Sequence, residues 1–267
     1  MIGYVSGQES IELTLINIID SGNFDCIGTE CNVGGLIGMM TGNSYGLNAN
    51  MNNCTQIGNI ASQAEDDYLG GLIGRIDGDD TSTQMGINNC ENSGDVTSKN
   101  GQACGLFYIH ESGTPNISIN NCVNKGKVSG IFARGISNIV NESNNIVSIG
   151  AVSGTNTTYL LWDTHNNVAI NTVYGVKESC ETCKDSYKAL HRYEHDGSYY
   201  YIDEDSGNRA DEILNSEAHE EEYGIYWTQS LDLSEHLNVN MTDGDGNEYN
   251  TKMNYGDDLS HLRIIEE

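Results

Sequence analysis

Proline is nearly missing from this chain: Pro115 is the only one among 267 residues. Tight turns must therefore come from Asn and Gly, which are abundant and both tolerate positive φ. Basic residues are scarce too. Twelve Lys and Arg stand against 39 Asp and Glu, a net charge of −27. Such a chain repels phosphate backbones, which argues against nucleic acid as a partner. It also repels anionic membranes, and no apolar run approaches the roughly 20 residues that a membrane span requires. The opening Met1-Ile2-Gly3-Tyr4-Val5 has neither a basic start nor a long apolar run. A secreted protein with this sequence is expected to have lost a leader or to belong to a longer chain.

Catalytic and metal motifs are missing as well. His219-Glu220-Glu221-Glu222-Tyr223 lacks the second His of a zinc protease motif. Cys180-x-x-Cys183 has no second pair to complete a four-ligand zinc site, so a local disulfide is expected there. Arg75, Lys127 and Arg134 stand alone, no carboxylate recurs in register, and the His residues form no triad-like spacing. The expectation is a non-enzyme with no catalytic residue. A carbohydrate-active β-helix enzyme and a structural subunit of an assembly are the alternatives.

What is present is repetition. Asn-Asn-Cys closing on Gly-x-Val or Gly-x-Ile occurs at Asn52-Asn53-Cys54…Gly58-Asn59-Ile60, at Asn88-Asn89-Cys90…Gly94-Asp95-Val96 and at Asn120-Asn121-Cys122…Gly126-Lys127-Val128. Degenerate copies begin at Asn17-Ile18 and Asn144-Asn145-Ile146. A second mark, Gly34-Gly35-Leu36-Ile37-Gly38, returns as Gly70-Gly71-Leu72-Ile73-Gly74 and more weakly as Cys104-Gly105-Leu106-Phe107, with Ile131-Phe132 as a possible fourth copy. The position held by Ile18, Cys54, Cys90, Cys122 and Ile146 steps by 36, 36, 32 and 24 residues. Helical periodicity is absent, and the short apolar runs bounded by turn residues read as strands. Units this small cannot bury their own apolar faces, so they must stack as a β-solenoid with those five residues in one inward column.

On that alignment the span from the Gly-x-Val mark to the next Leu or Ile is 12, 12, 10 and then 3 residues. The loops near 25–33, 61–69 and 97–103 are then the adaptable edge, and Glu65, Asp66, Asp67, Tyr68, Lys99 and Gln102 are candidate contact residues.

The Gly-Leu-Ile-Gly core at 35–38 and 71–74 resembles the GLUG-type repeat, found in bacterial adhesins, spacer regions of surface proteases and protist surface proteins. The resemblance spans roughly residues 1–155. It implies a parallel β-helix with an extracellular, adhesin-like binding or display role and a protein or glycan ligand. The chain begins mid-repeat, with Ile2-Gly3 where Ile37-Gly38 sits one repeat later. Upstream repeats or a partner at that end are expected.

Two regions are expected: solenoid repeats over 1–176 and an acidic α+β or irregular cap over 177–267, where 23 of the 39 acids lie. In the cap, 184–193 and 210–222 read as short helices and 198–203 as a strand. Val173-Tyr174-Gly175-Val176 reads as a last partial repeat. Cys26 and Cys31 share one loop and are expected to be bonded, as are Cys180 and Cys183, which implies an oxidising compartment. Cys54, Cys90 and Cys122 share one register and read as small buried hydrophobes. Asp243, Asp245 and Asn247 begin like a calcium loop, but Glu248 stands where Gly is needed and Asn254 where Glu is needed. Calcium is the one cofactor considered. Glycosylation acceptor sequences occur at Asn116, Asn141, Asn156 and Asn240, and at Asn53 inside the repeat.

Overall fold

Strands that recur every 24 to 36 residues can bury their apolar side chains only by lying on their own copies. The structure, a computed structural model, describes residues 1–6, 10–42, 46–77, 83–110, 116–138, 142–161, 173–176, 179–180, 183, 188–195, 198–203, 238–243 and 248–252. Over Met1–Gly175 it forms a parallel β-solenoid with four sheets visited in a fixed order. Sheet A holds Ile2–Val5, Ile37–Thr41, Ile73–Asp77 and Phe107–His110. Sheet B holds Ile11–Ile16, Leu47–Asn52, Thr83–Asn88, Asn116–Asn120 and Glu142–Asn144. Sheet C runs from Ile19–Asp20 through Thr55–Gln56, Glu91–Asn92, Val123–Asn124 and Ile146–Ser148 to Val173–Val176.

Sheet D has two columns. The leading one holds Phe24–Cys26, Ile60–Ser62 and Val96–Ser98, and the trailing one Glu30–Gly34, Asp66–Gly70 and Gln102–Cys104. The ten-residue strands Val128–Ser137 and Val152–Leu161 run along both. Pairing joins residues one repeat apart, as in Ile37 with Ile73, Met51 with Ile87 and Ile60 with Val96.

Each sequence mark has a distinct physical task. The second Asn of Asn-Asn-Cys sits in the left-handed region: Asn17, Asn53, Asn89, Asn121 and Asn145 have φ between 50° and 59°. This is the sheet B to sheet C corner, and Asn is the non-glycine residue that adopts it at least cost. Asn53 Nδ2 donates to Asn17 Oδ1 and Asn145 Nδ2 to Asn121 Oδ1, tying neighbouring corners together. Cys54, Cys90, Cys122 and Ile146 then point inward and are buried. The cysteines are free thiols, donating to the carbonyls of Asn52, Asn88 and Asn120. Ile18 shares the column but is 39% exposed, beside Ile19–Asp20, the edge strand of sheet C among the described residues.

The residue between Gly and Val binds the next coil. Asn59 N donates to Asn23 Oδ1, Asp95 N to Asn59 Oδ1 and Lys127 N to Asp95 Oδ1. The repeated glycines are not there for positive φ; among the described residues only Gly46 uses it. They permit close approach. A Cβ on Gly94 or Gly126 would overlap the carbonyl of the equivalent glycine one coil earlier. A Cβ on Gly71 would overlap the Gly105 carbonyl oxygen and the side chain of Asn92. Asn92 and Asn124 are buried polar residues of sheet C, and their amides donate to the turn carbonyls of Gly94 and Gly126. Asn92 also donates to Asn124 Oδ1 at 2.8 Å. The Leu and Ile or Phe after each glycine pair point inward, and all six are at most 2% exposed.

Two expectations need correction. The fourth copy of the glycine mark is Gly135-Ile136, not Ile131-Phe132, since Gly105 N donates to Arg134 O and Leu106 N to Ile136 O. The span from the Gly-x-Val mark to the Leu position is therefore 12, 12, 10 and 8 residues, and from there to the Cys position 18, 18, 16 and 10. The larger change falls between sheets A and B. Moreover, the supposed loops near 25–33, 61–69 and 97–103 are mostly strand. They do lie side by side in register, but only short turns at 27–29, 63–65 and 99–101 separate the two columns of sheet D.

The chain divides into two compact units, Met1–Gly175 with Ser179–Tyr187, and Val176–Glu178 with Lys188–Glu267. Val173–Val176 pairs in parallel with Ile146–Ser148, the expected last repeat. In the second unit Lys188–His195 pairs antiparallel with Ser198–Asp203 and with Asn238–Asp243, which pairs antiparallel with Glu248–Lys252. Residues 188–193 are thus strand rather than the expected helix, and the described residues contain no α-helix. The overlooked signal is Asp196-Gly197 between two runs, a strong hairpin dipeptide. The expected helix at 210–222 lies outside the described residues.

Two predictions follow from this packing. Gly71→Val should cost about 3 kcal/mol or more in urea unfolding, because backbone and a buried amide must both yield. Gly3→Val, with nothing within 4 Å of its Cβ site, should change stability by under about 0.5 kcal/mol. Equal melting curves for the two variants would contradict the close-approach role. Alkylation of the native protein should leave Cys54, Cys90, Cys104 and Cys122 untouched. Burial pushes the Cys104 thiol up to about 11, a thiol–thiol hydrogen bond with burial raises Cys54, and burial with a thiol–thiol hydrogen bond raises Cys90. Unfolding without reductant should expose four of the eight cysteines, and reduction all eight. Mass spectrometry counts the adducts.

Candidate functional site

The trailing column of sheet D turns into sheet A through Gly-Gly-Leu-Ile-Gly. Leu36, Leu72 and Leu106 point to the core on the inside of this bend. On its outside the two sheets close a re-entrant corner, where the backbones come too near for side chains. A Cβ on Gly70 would overlap the Ile73 carbonyl, and one on Gly74 the backbone of Val33. The outward side chains just beyond these glycines therefore meet across the corner.

Tyr68, from Asp66–Gly70, and Arg75, from Ile73–Asp77, are the centre of that meeting. The Arg75 guanidinium carbon lies 4.8 Å from the Tyr68 ring centroid. Its Nε donates to Asp77 Oδ1 at 2.8 Å, and Nη1 lies 3.5 Å from Glu30 Oε1. His110 Nδ1 lies 3.5 Å from the same Asp77 oxygen. The Tyr108 ring stacks at a tilt on Tyr68, centroids 4.8 Å apart, and His110 meets Tyr68 edge-on at 5.6 Å. One coil on, the Arg134 guanidinium lies 5.6 Å from the Tyr108 centroid and donates to Gln102 Oε1 at 2.6 Å. Burial works against the charge on Arg75, but the hydrogen bond and charge of Asp77 outweigh it and hold the guanidinium above its ordinary value. Burial, then the charge of Asp66, raises the Tyr68 phenol. Arg134 and Tyr108 are buried, Tyr68 and Arg75 half-buried, and the side chain of Glu30 is 59% exposed.

This constellation offers an aromatic surface, fixed guanidinium donors and carboxylate acceptors at an accessible wall. Groups of these kinds, held close together, can make directional contacts with a ligand. No protein-family model, curated protein or solved structure matches this chain. The site therefore has to be read from its own chemistry.

Of the candidate contact residues, the structure brings Tyr68 and Gln102 together as register partners in this wall. Glu65, Asp66 and Lys99 are exposed around the adjoining turns. Asp67 is misplaced in that set. It is fully buried, alternating inward between Asp66 and Tyr68. Ser98 Oγ donates to its Oδ1 at 2.5 Å, while Oδ2 has no partner. The register explains its presence. Cys26 pairs with Ser62 and then Ser98, and Cys31 with Asp67. The positions of the Cys26–Cys31 disulfide in the first coil are held by Ser62 and Asp67 in the next, and Ser98 of the coil after that bonds Asp67.

The second expected disulfide, Cys180–Cys183, is also present, with Cys180 in the core. Asp243 ends a strand, while Asp245 and Asn247 lie outside the described residues. Among the described residues no three His, Cys, Asp or Glu side chains converge to hold a metal, and no helix is long and apolar enough to cross a membrane. Asn116 and Asn156 are exposed in strands, and Asn240 lies in a strand. Asn141 lies outside the described residues, and the Asn53 amide is engaged at its corner. Sequence reasoning missed Glu30, Arg75, Asp77, Tyr108, His110 and Arg134. Tyr68 and Arg75 stand just before and just after one Gly-Gly-Leu-Ile-Gly copy, which is the signal that could have paired them.

Asp67 gives a pH test. Burial raises its carboxyl above the ordinary value, against the hydrogen bonds from Ser98 and Ser62. A folded pKa above the unfolded one means stability that is complete below the unfolded value, about 3.9, and lost as pH rises through the folded value. Asp67→Asn removes that titration. Wild type should therefore lose urea stability relative to the variant as pH rises above about 4. A pH-independent difference would contradict this.

Proposed function

We propose that this chain is an extracellular, adhesin-like binding and display protein whose solenoid presents the Tyr68–Arg75 wall to a protein or glycan ligand. The observation that carries the reading is the wall itself. A guanidinium stacked on a tyrosine and forked between two carboxylates is held rigidly by parallel strands, and rigid aromatic and arginine groups dominate binding energy at recognition surfaces. The Cys26–Cys31 and Cys180–Cys183 disulfides support an oxidising compartment. The GLUG-like Gly-Leu-Ile-Gly copies support the same setting, and the acidity of the chain argues against nucleic acid.

The test is flow cytometry of labelled protein on intact bacterial and animal cells. Tyr68→Ala and Arg75→Gln should each weaken binding at least about tenfold, equivalent to about 1.4 kcal/mol. Lys99→Ala, on the turn outside the wall, should leave it unchanged. Cell binding indifferent to both wall variants, with their folds intact, would remove the wall from the function.

A further inference from the structure

In a chain of net charge −27, the middle of one exposed face carries no charge; the exposed Glu12 stands on its first strand, in register with Asn48. Sheet B buries alternate residues, Leu47, Ala49 and Met51 in one strand, and turns the others outward. On its three middle strands, Leu47–Asn52, Thr83–Asn88 and Asn116–Asn120, no outward residue is acidic or basic. Asn48, Gln84 and Asn116 form one exposed row across the strands, and Asn52, Asn88 and Asn120 a second, half-buried one. Between the rows lie Asn50, Gly86 and Ser118. The pairing runs without a bulge over six and then five consecutive residues. Asn120 Nδ2 donates to Asn88 Oδ1 at 2.9 Å, so part of the second row is already a ladder of amides repeating at the strand spacing.

We propose that this face docks on the surface of an ordered, neutral, N-acetylated polysaccharide of the chitin type. Three arguments select that partner. The missing charge on these three strands removes the repulsion or attraction that an ionic polymer would meet there. The missing large apolar and aromatic groups make the face unlike the centre of a protein interface. The third argument is spacing. Polysaccharide chains stacked through acetamide N–H···O=C bonds must repeat at the distance those bonds impose, ~4.8 Å, the same distance that separates hydrogen-bonded strands. Each carboxamide of the exposed row supplies one donor pair and one acceptor, so a row of three can extend the amide ladder of the partner surface. The inference is independent of the Tyr68–Arg75 wall, which lies on other sheets.

The test is depletion of the whole protein from solution by α-chitin particles, with microcrystalline cellulose, which has no amide, as the second arm. Chitin should deplete wild type at least tenfold more effectively than cellulose, at low and high salt alike. The triple variant Asn48→Asp, Gln84→Glu, Asn116→Asp should lose the depletion, and Asn48→Ser with Asn116→Ser should weaken it while circular dichroism and melting stay unchanged. Tyr68→Ala should deplete as wild type does. Failure of chitin to deplete wild type, equal depletion by cellulose, or an undiminished triple variant would each overturn the proposal. So would sedimentation that shows wild type dimerising through this face and the triple variant monomeric, since the occupant would then be a second copy.

Discussion

Everything in the solenoid depends on one constraint: each side chain sits about 4.8 Å from the side chain at the same position of the next coil. A residue survives in a column only if it tolerates a near-copy of itself there. Cysteine does, because a neutral thiol is small, apolar enough for a core and able to donate to a local carbonyl, as at Cys54, Cys90 and Cys122. Asparagine does, because its amide is donor and acceptor at once and can bond upward and downward. Glycine does where backbone must touch backbone, at Gly58, Gly94, Gly126 and Gly150. A buried carboxylate stacked on another would not, and the sequence avoids it. Asp67 lies between Cys31 and Gly101 in register, never above a second acid.

That constraint explains what could be read from the amino acids alone. Identical residues at identical register made Asn-Asn-Cys and Gly-x-Val visible, and with them the parallel solenoid and its inward column, whereas the two disulfides were legible from local spacing alone, Cys26 and Cys31 in one loop and Cys180-x-x-Cys183. Legibility failed where the column changed residue type. Gly135-Ile136 follows Arg134 rather than Gly or Cys, so Ile131-Phe132 was the better match by eye, although hydrogen bonding gives the place to Ile136. Asp67 was hidden inside the acidic run Glu65-Asp66-Asp67, which looks solvated as composition but alternates as a strand. The wall was half legible: Tyr68 and Gln102 stood out, whereas Arg75 looked isolated. Its partners come from two coils, Glu30 from the first and Tyr68 and Asp77 from the second, and no linear spacing joins Glu30 to it.

The corner between the columns of sheet D shows how one structural need is met in different ways. In the first coil a covalent Cys26–Cys31 link closes it. In the next, Asp67 and the serines at 62 and 98 take the same positions, and Gly101 follows where a Cβ would collide with Asp67. In Val128–Ser137 and Val152–Leu161 one continuous strand spans both columns, and a register irregularity after Gly130 stands where the turn was. The cost of the polar solution is a desolvated carboxyl with one oxygen unbonded. That cost is bearable only because neighbouring coils hold the strand on both sides.

The same logic decides where recognition chemistry can be placed. Inward columns must be self-tolerant, so they leave no room for a constellation of unlike groups. Outward columns are freer, yet a straight sheet still sets each outward residue opposite its own copies and keeps different columns apart. Unlike groups converge only where two sheets fold toward each other on their outer faces. The glycines that let sheets A and D close up at the re-entrant corner are therefore the reason that an arginine from one sheet can lie on a tyrosine from the other. A regular outer face such as sheet B can instead offer only repetition, and what repetition recognises is another repeating surface.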